Sequence, residues 1–233
     1  MTYEPKDVVA YHGELAGEWE ARYQKRSFRS RLEVLKECLM GRDLTGTTWL
    51  DAGCGTGTLT RFLAELGCSV TGLDAASQMI DAARVQSSKH PSGARMSFEV
   101  AETIEQLPIA SASLDGVLCS SVLEYVANVE QCLSGFARVI KPGGLLLISV
   151  PNAQSAVRRA QVVLHQWGKR FGQRWLDFIE YSRNEYSARE FDALLKSHGF
   201  ETEKMIVFGS PMPRWAQRQR VGGSLLMFLA VRK

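Results

Sequence analysis

No apolar run in the 233 residues approaches the ~20 that a membrane-spanning helix needs, so a bilayer span is not expected. The first residues, Met1 to Lys6, lack the apolar stretch of a secretory leader, and a cytoplasmic location is expected. Cysteine is scarce. The five (Cys38, Cys54, Cys68, Cys119, Cys132) are odd in number and show no C-x-x-C spacing, which points to reduced thiols and not to a disulfide framework. Neither sign of charge dominates: a formal net charge of +3 is too small for a general nucleic-acid binder, so no nucleic-acid partner is expected. Internal repeats and low-complexity tracts are missing too. What is present, 45% hydrophobic and 23% charged residues, suits one α/β domain spanning 1–233 with a full core.

The chain is organised around Trp49-Leu50-Asp51-Ala52-Gly53-Cys54-Gly55-Thr56-Gly57, which runs into Thr58-Leu59-Thr60-Arg61-Phe62-Leu63. This reads as a buried strand, a glycine turn and a helix start. Gly53 and Gly55 allow φ > 0 and the close approach of a ligand, while Gly57 lets the helix begin beside the strand. N–H groups at a helix start lack internal partners and would face an electron-rich ligand. A dinucleotide loop is spaced G-x-G-x-x-G and holds a diphosphate. Here the third glycine comes one residue early, with Thr58 in its place, and Asp51 stands two residues upstream of Gly53. A carboxylate there repels a diphosphate and suits a cationic amine, which argues against an NAD-dependent reductase.

In chain order, residues 7–24 show helical spacing of Val8, Val9, Tyr11, Leu15, Trp19 and Tyr23, and 28–40 form a second amphipathic helix; together 1–42 make a helical cover. Residues 47–52 are the first strand, 57–66 a helix, and 68–74 a second strand ending in Asp74. A carboxylate there suits a vicinal ribose diol, since it accepts through two oxygens; otherwise Asp74 caps the helix from Ser77. Beside such a ribose, Ala75 and Met79 would flank the base. Met96 to Val100 is a third strand, leading to Glu102 and Thr103, and Ser113 to Ser120 a fourth, with Ser121 to Val126 opening the next helix. Gly144 to Val150 is the fifth strand. Residues 153–174 hold five cations and no acid around Val162, Val163, Leu164, Trp167 and Phe171: either a solvated face over a buried stripe, or a lid (153–187) that holds an anionic, partly apolar molecule or touches anionic lipid. Ser187 and Glu190 form a capping box, followed by strands over 200–208 and 224–231. The loop between them carries Arg214, Trp215, Arg218 and Arg220, read either as a hydrophilic connection or as a second basic edge near the site.

The heptapeptide D-A-G-C-G-T-G resembles motif I of the class I S-adenosylmethionine-dependent methyltransferases. S-L-D-G-V (113–117) and I-K-P-G-G (140–144) resemble two further segments of that family, and the nearest subgroup is the ubiquinone-biosynthesis-like O-methyltransferases and their small-molecule relatives. The resemblance implies a doubly wound, seven-stranded, mostly parallel Rossmann-like sheet, with N-terminal helices and a helical lid after strand 5. It implies S-adenosylmethionine as cofactor, held by Asp51, Gly53, Cys54, Gly55, Gly57, Asp74, Ala75, Met79, Glu102, Thr103 and Cys119. The partner would be a small-molecule acceptor, methylated at an oxygen of an aromatic or anionic metabolite, with N- or S-methylation and a macromolecular acceptor as alternatives; the assembly would be a monomer or homodimer. Glu124, Tyr125, His165 and Tyr11 are the catalytic candidates. One departure bears on metal. The ubiquinone-type enzymes place an acid, a glutamate and a histidine where this chain has Ser121, Glu124 and Tyr125, so no essential metal is expected.

Overall fold

The computed structural model describes residues 5–17, 19, 26–169, 178–209 and 222–233. Its centre is a seven-stranded sheet: β1 (Thr48–Ala52), β2 (Ser69–Asp74), β3 (Met96–Val100), β4 (Leu114–Ser120), β5 (Ile140–Pro151), β6 (Phe200–Phe208) and β7 (Leu225–Arg232). The spatial order is β3-β2-β1-β4-β5-β7-β6. Only β7 runs antiparallel to its neighbours, β5 and β6. The strand order reverses between β1 and β4, so a crevice opens at the carboxyl ends of those two strands, where open α/β sheets bind ligands.

Local chemistry sets this register. Trp49 on β1 lies directly opposite Gly116 on β4; a Cβ on Gly116 would sit 2.6 Å from the indole. Phe98 on β3 faces Gly72 on β2 in the same way. A large ring therefore fills the space that its glycine partner leaves across the strand. Asp115 ties three strands, accepting from the Thr48 N–H at 2.8 Å and from Lys141 Nζ at 2.6 Å.

Helices cover both faces. The first half of the chain holds α1 (Pro5–Glu14), α2 (Arg26–Leu39), α3 (Thr58–Glu65) and α4 (Ser77–Ser88). Then come α5 (Val129–Val139), α6 (Ala156–Lys169), the short α7 (Phe178–Tyr181) and α8 (Ala188–Ser197). On α2, Val34, Leu35, Cys38 and Leu39 pack with Trp49, Leu63, Phe208 and Met227. Past the end of α1, Ala16 is buried against Ala76 and Met79, with Val9 and Trp19 alongside.

Two expectations about elements change. The segment after β4 does not begin a helix at Ser121; it is a chain of turns, and α5 starts only at Val129, capped by Asn128 accepting from the Gln131 N–H at 2.9 Å. β5 starts at Ile140, four residues early, because the glycine turn is a bulge inside the strand, between the Leu114–Ile140 and Gly116–Leu145 pairings. The basic helix is observed over 156–169; residues 170–174, with Arg170, Phe171 and Arg174, and the loop carrying Arg214, Trp215, Arg218 and Arg220 lie outside the described residues. The capping box at Ser187 and Glu190 is present with both of its hydrogen bonds.

Candidate active site

A cavity of about 720 Å³ occupies the crevice. Its floor comes from Asp51, Gly53, Cys54 and Gly55 after β1, Asp74 to Ala76 after β2, and Ser120 to Val122 after β4. Ala101 to Glu105 form one wall, and Val8, Val9, Tyr11, His12 and Trp19 the roof. Met79, Glu124, Tyr125, Arg31, Arg158 and Gln161 also line it.

The glycine loop takes the backbone that its composition allows: φ is 77° at Gly53, 54° at Gly55 and 77° at Gly57. Its N–H groups, however, turn inward. Those of Gly53 and Cys54 donate to the Leu73 carbonyl, that of Gly57 to Cys54, and that of Gly55 to Asp74 Oδ2 at 2.8 Å. A diphosphate site presents such groups to its ligand, so this loop is built for a different contact. A Cβ on Gly53 would lie 2.2 Å from Val122 Cγ2. Gly53→Ala is therefore expected to cost about 2–4 kcal/mol, from a disfavoured φ plus overpacking, read as a lowered denaturant midpoint; an unchanged midpoint would count against the rigidity of this turn.

Asp74 is clamped. Oδ2 holds the Gly55 N–H and Oδ1 the Ala76 N–H at 2.9 Å, which joins both expected roles, strand-end acceptor and helix entry. Each oxygen keeps a second lone pair for an outside donor. Burial raises its pKa, and these N–H groups and His12 oppose the rise. Asp51 is 1% exposed and accepts from Thr60 Oγ1 at 2.7 Å. Desolvation lifts its pKa to about 7 against the Thr60 hydrogen bond, and the Asp74 charge adds to the rise. Two acids at one edge of a closed space favour a cation there.

Cationic side chains line the same cavity. Arg31, from α2, donates to Ser121 Oγ at 3.1 Å, and Ser121 sits at φ 60° with its N–H on Ser149 Oγ at 2.9 Å. Arg158, 7% exposed, donates to Ser182 Oγ at 2.7 Å. Between them lies Glu124, 5% exposed, whose Oε2 has no hydrogen-bond partner. Burial raises its pKa to about 7, with Arg31 and Arg158 working against the rise. Its position is braced: the Arg183 N–H donates to the Glu124 carbonyl at 2.7 Å, and Asn184 Nδ2 to the Leu123 and Val126 carbonyls. The Tyr125 ring meets His12 edge-on at 5.1 Å, and Tyr11 packs on Tyr181 at 5.1 Å. Burial and the neighbouring Glu124 keep the Tyr125 phenol protonated.

The cavity thus gathers Asp51, Gly53, Cys54, Gly55, Asp74, Ala75, Met79, Glu102, Thr103, Glu124, Tyr125 and Tyr11. Three expected residues stand elsewhere. Cys119 points into the hydrophobic core with no exposure, because side chains alternate along β4; Ser120 and Ser121 face the cavity instead. Gly57 packs under Phe98 and Ala83, allowing the close helix start and not ligand contact. His165 does not reach the cavity: its Nε2 is 3.0 Å from Glu180 Oε1, within the lid's own packing. Sequence reasoning missed Arg31 altogether. It lies on a helix outside the motif region, and only its place one turn before the buried Val34-Leu35 pair hinted at an inward reach.

This fold and this crevice define a class I S-adenosylmethionine-dependent methyltransferase, and the chain belongs to that family. The family model described as "Methyltransferase domain" matches residues 50–148. A ubiquinone biosynthesis O-methyltransferase of Alkalilimnicola ehrlichii is 32% identical over 176 residues, 72% of this chain and 68% of that one. A biotin biosynthesis bifunctional protein of Cellvibrio japonicus is 35% identical over 163 residues, 63% of this chain; the chain spans only 31% of that longer protein. Among solved structures, the magnesium protoporphyrin IX methyltransferase of Synechocystis PCC 6803, with S-adenosylhomocysteine bound, superposes with a TM-score of 0.73 at 19% identity, covering 99% of this chain and 100% of that one.

Proposed function

We propose that this enzyme transfers a methyl group from S-adenosylmethionine to an oxygen of a small aromatic or anionic metabolite. The observation that carries this reading is the buried Glu124 carboxyl, its Oε2 unpartnered, its pKa raised to about 7, lining the same cavity as Asp51 and Asp74. When bound, the cofactor supplies an electrophilic methyl on a sulfonium. The chain's residues do the rest. Asp51 would hold the cationic amino end, Arg31 would pair with the amino acid's carboxylate, and Asp74 would accept from ribose hydroxyls, with Ala75, Met79, Glu102 and Thr103 nearby. Tyr11, His12, Trp19 and Tyr125 close the cavity with rings against which an aromatic acceptor can lie, and exclude water. Arg158 draws an anionic group on the acceptor toward α6. Glu124, in its carboxylate form, would take the hydroxyl proton as the acceptor oxygen bonds to the methyl and the sulfur–methyl bond breaks, leaving S-adenosylhomocysteine. A divalent ion does not fit: Ser121, Glu124 and Tyr125 offer one carboxylate, and the Arg31 guanidinium is hydrogen-bonded to Ser121 where an acid would be needed.

Calorimetry with S-adenosylhomocysteine and NADH, followed by product mass with hydroxylated aromatic acids as acceptors, tests the proposal. Tight binding of the first, none of the second, and a gain of one methylene mass are expected. Arg31→Met should weaken S-adenosylhomocysteine about 10–100-fold, the worth of a charge-assisted hydrogen bond. Failure to bind it would sink the reading.

A further inference from the structure

The turn that carries Glu124 is held largely from outside. Besides the hydrogen bond from the Tyr125 N–H to the Val122 carbonyl, three of its carbonyls are met from a loop some 60 positions away. The Arg183 N–H donates to the Glu124 carbonyl at 2.7 Å. Asn184 Nδ2 donates to the Leu123 carbonyl at 2.8 Å and to the Val126 carbonyl at 2.9 Å. Both partners of Nδ2 are acceptors, so the amide nitrogen faces them. The two carbonyls bracket Glu124, one residue before it and two after. A single side chain thus spans the turn on both sides of the acid.

The loop is itself anchored. At the end of β5, Tyr186 donates its N–H to the Pro151 carbonyl at 3.1 Å and accepts from the Ala153 N–H at 3.0 Å. Its ring packs on Phe191 at 5.2 Å. At the loop's other end Arg158, from the inward face of α6, donates to Ser182 Oγ at 2.7 Å. A support tied down on both sides can fix the direction of what it holds.

We propose that Asn184 is a positioning residue for methyl transfer, holding the 122–126 turn so that the Glu124 carboxyl stays aimed into the cavity. The proposal rests on the reading of Glu124 as the proton acceptor. Leu123 and Glu124 are neighbours, yet one is buried in the core and the other lines the cavity. A small rotation of the turn would undo that division. The charged and titratable groups around the carboxyl are Arg31 from α2, Arg158 from α6, the adjoining Tyr125 phenol and the Cys119 thiol of β4. Burial acts on its ionisation more than any of them, and a loosened turn relieves burial first.

The test compares Asn184→Ala, Glu124→Gln and the double variant in turnover, S-adenosylhomocysteine binding and thermal melts. Asn184→Ala should lower kcat about 10–100-fold, the cost of a misplaced group. S-adenosylhomocysteine affinity should fall by a smaller factor, because Val122 of the same turn packs over Gly53. The inflection of turnover with pH should move from about 7 toward the ordinary carboxyl value of 4.5, since a carboxyl that reaches water ionises at lower pH. In the Glu124→Gln background the same substitution should cost less than about threefold, because residues that act through one group are not additive. Asn184→Ser, which keeps a hydroxyl donor, carries the same readouts if the alanine variant melts too low. Full kcat in Asn184→Ala, an unmoved inflection, or losses that add in the double variant overturn the proposal. Full turnover in Glu124→Gln alone would instead end the base reading, and this proposal with it.

Discussion

Replacing Asp51 by asparagine is expected to raise heat stability at pH 8 and to weaken S-adenosylhomocysteine binding about 100-fold. The two effects have one origin. Asp51 is 1% exposed, and its pKa stands at about 7 in the folded chain against 3.8 when free. The folded state therefore binds this proton more tightly than the unfolded state. Its contribution to stability is full below about pH 3.8 and is lost as pH rises to about 7. Moving a carboxyl that far corresponds to about 4 kcal/mol at full ionisation, an upper bound because Thr60 still donates to the residue. An uncharged amide that keeps this hydrogen bond should recover about 2–3 kcal/mol at pH 8, roughly 5–10 °C in a chain of this size, and almost nothing at pH 4. Binding goes the other way. A cation beside Asp51 requires the carboxylate, while the ligand's own ammonium stays protonated below about pH 7.7. Wild-type affinity should then fall as pH drops from 7 to 5, and the asparagine variant should be weak and flat over that range. Calorimetry and thermal melts across pH 4–8 read both; unchanged affinity in the variant would remove Asp51 from the cofactor site.

Glu124→Gln should lower kcat about 100–1,000-fold, within the range of a positioned general base, with S-adenosylhomocysteine affinity changed by less than about threefold. With the pKa of Glu124 raised to about 7 by burial, the base form is lost as pH falls through that value. Wild-type turnover on a hydroxyl acceptor should rise with pH and level off above about 7, and the glutamine variant should lose that inflection. The split between kcat and ligand affinity separates a proton acceptor from a structural prop, since loss of a prop at the braced turn around Glu124 would move both. A variant with full turnover and an unchanged profile would mean an acceptor that arrives already ionised.

How much of this was legible beforehand follows from how local each signal is. The glycine loop, Asp51 and Asp74 could be read because a strand, a tight turn and a helix start impose residue types on neighbours in sequence. The capping box was legible for the same reason. Val122, by contrast, fills the space over Gly53 from 69 residues away, and no local pattern announces it. The helix expected from Ser121 failed because its apolar spacing was real but served a different end. Leu123 is buried in the core and Glu124 faces the cavity, which a turn achieves when loop 182–186 supplies the missing backbone partners. His165 was drawn in by its place in the lid, whereas its carboxylate partner, Glu180, decided its direction.

By itself the sequence determined the chemical sign of one part of the cavity: an acid at the end of the first strand, a second acid at the end of the next, and a bend without side chains between them, all within 24 positions from Asp51 to Asp74. Only the tertiary structure brought Arg31, Glu124 and Arg158, from three elements far apart in the chain, to one cavity. Only it showed which way α6 is turned. Short-range steric rules are written into adjacent residues; the meeting of distant charges, and the choice of which helix face goes inward, depend on what the rest of the fold places opposite them.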